Sequence, residues 1–268
     1  MLFIRKIIFL STVIVLHFPN FSLAESDFKN AIEIDGFSQL KEEINTILED
    51  YDLVGFQLSL TGSEEVIGKM NYGLSSISSN TQVNDNTLFR IASISKTVTA
   101  VAVMQLIDIG LLSLDTPIHA LIPEIEIENP WRNKTPITIL HLLEHTAGFD
   151  DNHFKEYVVD GATMSTKDAL DYHPHTRIAR YKPGQFMSYA NVDPTLLAYI
   201  IEKLSGLTFE EYVKKNIFIP LTMEHSDYFV GDYVTDTLAQ GYINSNNEVT
   251  EAKYEDIKDR ASGAINSN

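Results

Sequence analysis

From Ser95 to Ile109 the apolar residues Val98, Val101, Ala102, Leu106 and Ile109 recur at helical spacing, and Gly110 stands where such a helix would end. A segment this apolar predicts a largely buried helix, around which the rest of the chain must be built. A short apolar approach, Thr87-Leu88-Phe89-Arg90-Ile91, leads into it. Its mouth carries Ser93-Ile94-Ser95-Lys96. An S-x-x-K step at a helix start puts a hydroxyl and an amine one turn apart on the same face. The serine can then attack an acyl carbon while the amine takes its proton, and first-turn N–H groups are free to polarise an oxyanion.

The triplet is weak by itself, because it recurs by chance. It also occurs at Ser26–Lys29, in a polar stretch, and at Ser38–Lys41, on a surface-type helix. Only Ser93 follows an apolar approach and opens an apolar helix. A second hydroxyl and an amide come from Tyr189-Ala190-Asn191, which follows Lys182-Pro183-Gly184 and precedes a capped helix. A second Y-x-N, Tyr242–Asn244, reads as a strand running into a turn. Together Ser93, Lys96, Tyr189 and Asn191 make a proton-relay site for acyl transfer through an acyl-serine.

The surrounding elements predict a mixed fold. Phe37, Leu40, Ile44, Ile47 and Leu48 give an amphipathic helix over 37–50. Leu53 to Leu60 and Val66 to Tyr72 read as strands around a Thr61-Gly62-Ser63 turn, and Asn80 to Asn86 as a polar loop. Thr138 caps a short helix through His145 that stops at Gly148. Asp193-Pro194 caps a helix to Leu204 ended by Gly206, and Thr208-Phe209-Glu210-Glu211 is a capping box. The expectation is an α/β domain with an inserted helical lobe: residues 25–268 as one domain, about 25–110 and 236–268 forming the α/β part and about 111–235 the lobe, with the active site between them.

A chain of 268 residues can bury roughly three quarters of its unfolded surface, enough for a substantial core. Its first 24 residues differ from the rest: Arg5 and Lys6, an apolar run from Ile7 to Phe18, then Ser22-Leu23-Ala24. This reads as a signal peptide cleaved after Ala24 and a periplasmic or secreted protein, the alternative being a retained anchor. The run falls short of the ~20 apolar residues of a spanning helix. Without its two basic residues the mature chain holds 18 basic against 37 acidic residues, a net charge of −19. Such a surface repels nucleic acid and anionic lipid. The absence of cysteine excludes disulfides, thiol nucleophiles and Cys-ligated metals.

At this point the residues carry a resemblance. Phe89 to Ala100, with Ser93 and Lys96, resembles the nucleophile segment of the class C β-lactamase family, which includes serine β-lactamases, penicillin-binding proteins, D-peptidases and esterases. Ile137 to Phe149, with His145-Thr146-Ala147-Gly148, resembles a second shared segment, and Tyr181 to Asn191 a third. Ile217 to Met223 resembles a fourth, with Thr222 where glycine is usual. The order is the family's, and the coverage is roughly 40 to 268. The resemblance implies a β-lactamase/transpeptidase-like fold, an antiparallel sheet flanked by helices. It makes Ser93 the nucleophile, with its own N–H as half of an oxyanion hole. Lys96 becomes the base or proton partner, Tyr189 the relay to the leaving group, and Asn191 the group that holds Lys96 and a substrate amide. A desolvated cleft would lower the Lys96 pKa far enough for this role. The implied substrate is a small-molecule or peptide acyl compound, and no cofactor is required.

The chain departs from the family in one respect. After Asn191 there is no basic residue or histidine followed by Thr or Ser and then Gly, the box that lines the family's site. Ala261-Ser262-Gly263-Ala264 resembles the glycine-rich segment that precedes the last strands and helix. The expectation is a truncated frame or gene fragment with the second oxyanion N–H missing. The alternative function is therefore a catalytically inactive remnant or binding protein of the same fold. A third reading takes His141 and His145, four apart on one helix face, as a two-histidine metal pair with Asp150, Asp151 and His153 nearby. The resemblance makes these histidines structural, and no metal ligands are assigned. Asp115, Glu124, Glu126 and Glu128 are read as a solvated edge rather than a glycosidase carboxylate pair.

Overall fold

The computed structural model describes residues 37–50, 53–63, 65–153, 158–159, 164–229, 237–245 and 248–268. The proposed signal peptide and Ser26–Lys29 lie outside them. Two compact units are formed: one by the described residues up to Leu88 with 237–252 and Asn268, the other by Phe89 to 229 with Lys253–Ser267.

In the first unit α1 (Phe37–Asp50) has the predicted limits, with Leu40, Ile44 and Ile47 on its half-buried face. Strands β1 (Gly55–Thr61) and β2 (Val66–Ser76) pair antiparallel, Gly55 opposite Gly73 and Leu58 opposite Met70. Strand β2 runs past Tyr72 through Gly73, which takes φ +69° where a Cβ would collide with the Val54 carbonyl, and its last residues Leu74 and Ser76 pair with β3 (Thr81–Gln82) across a register shift. That short strand lies inside the stretch read as a loop. A second hairpin joins β6 (Gly241–Ser245) and β7 (Glu248–Ala252). The hydroxyl of Tyr242, from the second Y-x-N, accepts the Ile77 N–H at 2.7 Å, a bracing role within this unit.

The second unit contains β4 (Phe89–Arg90), a 3₁₀ turn over Ala92–Ile94 and α2 (Ser95–Asp108). The buried stripe of α2 is Ser95, Thr99, Ala102, Val103 and Leu106, whereas Val101 and Ile109 are 47% and 65% exposed. The apolar spacing therefore misplaced the stripe. Two hydroxyls share the buried face because their bonds are made there. Thr99 donates to the Ala261 carbonyl at 2.9 Å, and Ser95 Oγ accepts the Ile265 N–H at 3.2 Å.

Further along come α3 (Ile118–Leu121), α4 (Ile139–Leu143), β5 (Val158–Val159), α5 (Thr166–Tyr172) and a 3₁₀ turn over Pro174–Arg177. The long helix α6 (Val192–Ser205) is followed by α7 (Phe209–Val213), which starts in the expected Thr208/Glu211 capping box and runs into a π-turn over Lys214–Phe218. Strand β8 (Asp256–Ile257) pairs with β5. The chain then forms α8 (Arg260–Gly263) and β9 (Asn266–Ser267), which pairs with β4. Helices α2, α6 and α8 pack on one another around Ala102, Leu106, Leu196, Ile200 and Ala261. Burying each large aliphatic side chain here contributes about 1.5–3 kcal/mol.

Two helix boundaries differ from expectation. The N-cap of α6 is Asn191, so Asp193 lies inside the first turn and is buried rather than capping from outside. Helix α4 stops at Leu143: Thr146 N–H reaches the His141 carbonyl at 2.8 Å and His145 N–H the Leu142 carbonyl, with His145 at φ +55°. This is a Schellman ending with histidine in the position that favours glycine. It takes His145 off the helix face of His141, so the two do not form an i, i+4 pair on one helix. Their nearby carboxylates are engaged as described below. Asp115, Glu124, Glu126 and Glu128 are exposed, as expected, and Glu124 accepts from Lys203 and Tyr199 at 2.7 and 2.9 Å.

Candidate active site

All four candidate residues belong to the second unit. Ser93 sits in the 3₁₀ turn before α2 and is exposed. The residue before it, Ala92, has φ +46°, a left-handed conformation that costs an alanine about 1–2 kcal/mol. The strain lies directly beside the candidate nucleophile, where such outliers cluster in enzymes.

Lys96, one turn along, points its ammonium at three acceptors. Nζ donates to Ser93 Oγ at 3.2 Å, Asn191 Oδ1 at 2.8 Å and the Ser262 carbonyl at 2.7 Å. Three donors meet three acceptors, which fixes the side chain. Desolvation lowers Lys96 from 10.5 to about 8, opposed by the charges of Asp151, Asp259 and Asp193. Tyr189 donates its hydroxyl to Ser93 Oγ at 2.8 Å, and its ring centroid lies 4.8 Å from Lys96 Nζ. Ser93 Oγ thus receives hydrogen bonds from both a lysine and a phenol, an arrangement that favours negative charge developing on it.

The Tyr189 loop is held by the 145–149 segment. Ser188 N–H donates to the His145 carbonyl at 2.7 Å, Ser188 Oγ to the Phe149 carbonyl at 2.8 Å, Gly184 N–H to Thr146 and Arg180 N–H to Gly148. Gly148 has φ +85°, and a Cβ there would strike the Tyr181 carbonyl. The His145 ring lies against the Tyr189 ring, centroids 4.6 Å apart, and its Nδ1 is 2.7 Å from Asp193 Oδ2. Burial raises Asp193 to about 7 despite this partner. His141 instead completes the cap of α4, its Nδ1 accepting the Thr138 N–H at 3.1 Å, and burial lowers its pKa. Among the described residues, no group of three or more His, Cys, Asp or Glu side chains could hold a metal ion.

The sequence reading missed Asp151, Asp259 and the Ser262 carbonyl as parts of this neighbourhood. Asp151 bonds Asn191, while Asp150 pairs with Arg180 at the surface at 2.5 Å. Nothing in two adjacent aspartates separates these fates. Asp259, 2% exposed, accepts from Lys258, Thr195 and Asn152, and burial pushes its carboxyl up. The run of small residues Ala261-Ser262-Gly263 was the available signal for a close backbone approach.

Helices with antiparallel sheets, and a serine at a helix mouth bonded by a lysine and a tyrosine, define a β-lactamase/transpeptidase-like fold. A family model described as Beta-lactamase matches residues 40–268, and the chain belongs to that family of serine hydrolases. It is 27% identical over 241 residues to a Beta-lactamase of Yersinia enterocolitica, covering 89% of this chain and 57% of that protein. It is 26% identical over 245 residues to Penicillin-binding protein 4* of Bacillus subtilis (strain 168), with 85% and 52% covered. Among solved structures, the octameric penicillin-binding protein homologue from Pyrococcus abyssi superposes with TM-score 0.76 at 27% identity, covering 86% of this chain and 53% of that one. The chain spans about half the length of these relatives. Among the described residues no helix is long and apolar enough to cross a membrane.

Proposed function

We propose that this chain carries the acyl-transfer centre of an exported serine hydrolase, acting on an ester, a D-amino acid peptide amide or a β-lactam. The observation that carries the reading is the convergence of Lys96 Nζ (3.2 Å) and Tyr189 OH (2.8 Å) on Ser93 Oγ. In the attack, the Ser93 Oγ–H proton passes to the neutral form of Lys96 as Oγ bonds the acyl carbon. The carbonyl π electrons move to oxygen, where the Ser93 N–H would receive the charge. Collapse of the tetrahedral adduct breaks the bond to the leaving group, which takes a proton relayed through Tyr189. Water then attacks the acyl-serine by the reverse proton path and frees the acid. Asn191 holds Lys96 in line throughout. The leader read over residues 1–24 supports export.

Intact-mass analysis after exposure to a fluorophosphonate and, separately, a penicillin tests this beside Ser93→Ala. An adduct absent from the variant supports a competent nucleophile, and a penicillin adduct points toward cell-wall substrates. No adduct on a chain shown to be folded by circular dichroism favours a non-catalytic binding protein of the same fold.

A further inference from the structure

We propose that Asp151 is a positioning residue for Lys96, acting through Asn191. The inference rests on the reading of Ser93 and Lys96 as the acyl-transfer pair. An asparagine amide can present either end to a neighbour, and Lys96 needs the oxygen. Asp151 selects that orientation. Its carboxylate accepts Asn191 Nδ2 at 3.1 and 3.0 Å through both oxygens, and also the Asn191 backbone N–H at 2.9 Å. An ionised carboxylate only accepts, so a flipped amide would set oxygen against oxygen here and NH2 against ammonium at Lys96. Asp151 is itself fixed by the Asn152 N–H at 2.9 Å. One carboxylate therefore pins both the backbone and the side chain of the residue that accepts from Lys96.

Asp151 also contributes charge. The groups facing Lys96 are the hydroxyls of Ser93 and Tyr189, the carboxyls of Asp151, Asp193 and Asp259, His145 on Asp193, and Lys258 on Asp259. The last two carboxyls are buried, which favours their neutral forms, and each already has a basic partner. Asp151 is the largest of the charges that oppose the desolvation of Lys96.

The test uses two readouts on the whole chain. In the first, ¹³Cε-labelled lysines are titrated by NMR, with Lys96 assigned by its loss in Lys96→Arg; this needs no activity. Asp151→Asn is expected to lower the Lys96 midpoint by about one pH unit. Asp151→Glu keeps the charge and is expected to leave the midpoint near that of the wild type. Asp150→Asn, which removes the surface partner of Arg180, is expected to change nothing. In the second, Ser93 phosphonylation is followed by intact mass at about pH 9.5, above the Lys96 midpoint of every variant, so that the rate reports placement of the amine and not its neutral fraction. Asp151→Asn is expected to slow it about tenfold, from misplacement of Lys96. The same change in an Asn191→Ala background is expected to add nothing further. An unchanged midpoint in folded Asp151→Asn, or rate losses that multiply in the double variant, would overturn the proposal. If wild-type Ser93 takes no label, the acyl-transfer reading fails and the titration still decides the role of Asp151.

Discussion

Replacing Lys96 by arginine keeps a positive charge beside Ser93 but removes a base that can lose its proton near neutral pH. The structure gives the size of what is lost. Desolvation brings Lys96 from 10.5 to about 8. At pH 7 about one Lys96 in ten is then neutral, against about one in 3,000 for an ordinary lysine. The difference of about 300-fold corresponds to about 3 kcal/mol of differential interaction. If the neutral amine accepts the Ser93 proton, the second-order rate of phosphonylation follows that fraction. It should rise about tenfold per pH unit below 8, bend near 8 and level above it. Lys96→Arg should react at least about a hundredfold more slowly across the range, because a guanidinium stays protonated throughout. The assay is intact-mass quantification of the Ser93 adduct from pH 6 to 10, with folding checked by circular dichroism at each end. A flat profile from pH 6 to 9, a bend at 10 or above, or an arginine variant within tenfold of wild type would refute the assignment of Lys96 as the base.

Tyr189→Phe removes the 2.8 Å donor to Ser93 Oγ and should slow hydrolysis of an alkyl ester about a hundredfold, with less effect on an aryl ester whose leaving group needs no proton; paired turnover rates check this. Thr222→Gly should stabilise by about 1 kcal/mol in urea unfolding, because exposed Thr222 is held at φ +54°. Gly148→Ala should cost about 3 kcal/mol, since its Cβ would meet the Tyr181 backbone. Gly206→Ala, at φ +72° in open space, should cost about 1 in the same assay. Folded Asp193 holds its proton up to about pH 7 instead of 3.8, so the stability from protonation is present below 3.8 and lost as pH rises through 7. Asp193→Asn lacks that loss, and its melting temperature relative to wild type should climb from pH 4 to 8.

Three helix ends show what the sequence could and could not reveal. At Gly110, Leu111 N–H reaches the Leu106 carbonyl and Gly110 N–H the Ile107 carbonyl, with φ +78°, and the glycine announced the stop. The same motif closes α4 at His145 and the π-turn at Thr222, each in the left-handed region. Neither residue signals an ending, so the α4 stop was read too late. At Thr222 the residue standing where glycine is usual is legible in the sequence, but its left-handed conformation is not. The Thr208 capping box was readable because both partners lie within four residues. The α2 stripe was not, because Ser95 and Thr99 turn inward only to bond Ile265 and Ala261, over 160 residues away. The site follows the same division. Ser93 and Lys96 share one helical turn, and Tyr189 with Asn191 share one loop, so each pair was legible locally. That Asp151 rather than Asp150 meets Asn191 depends on tertiary placement alone.

The three acceptors of Lys96 pull against its burial, and the balance bears on how the site could work. Removing an amine from water favours its neutral form. The Asn191 oxygen, the Ser262 carbonyl and the nearby carboxylates favour the ammonium. With desolvation alone Lys96 would be a weak base, neutral at rest but reluctant to take the serine proton. With the acceptors alone it would be an ordinary lysine, strongly basic but almost never free. A value near 8 lies between, where the neutral fraction at pH 7 is appreciable and the neutral amine still holds a proton well. The acceptors come from residues 93, 191 and 262, and the largest of the opposing charges from residue 151. Four separated segments therefore set one proton affinity. Measuring it would report on the assembly of the whole site, whatever acyl compound that site accepts.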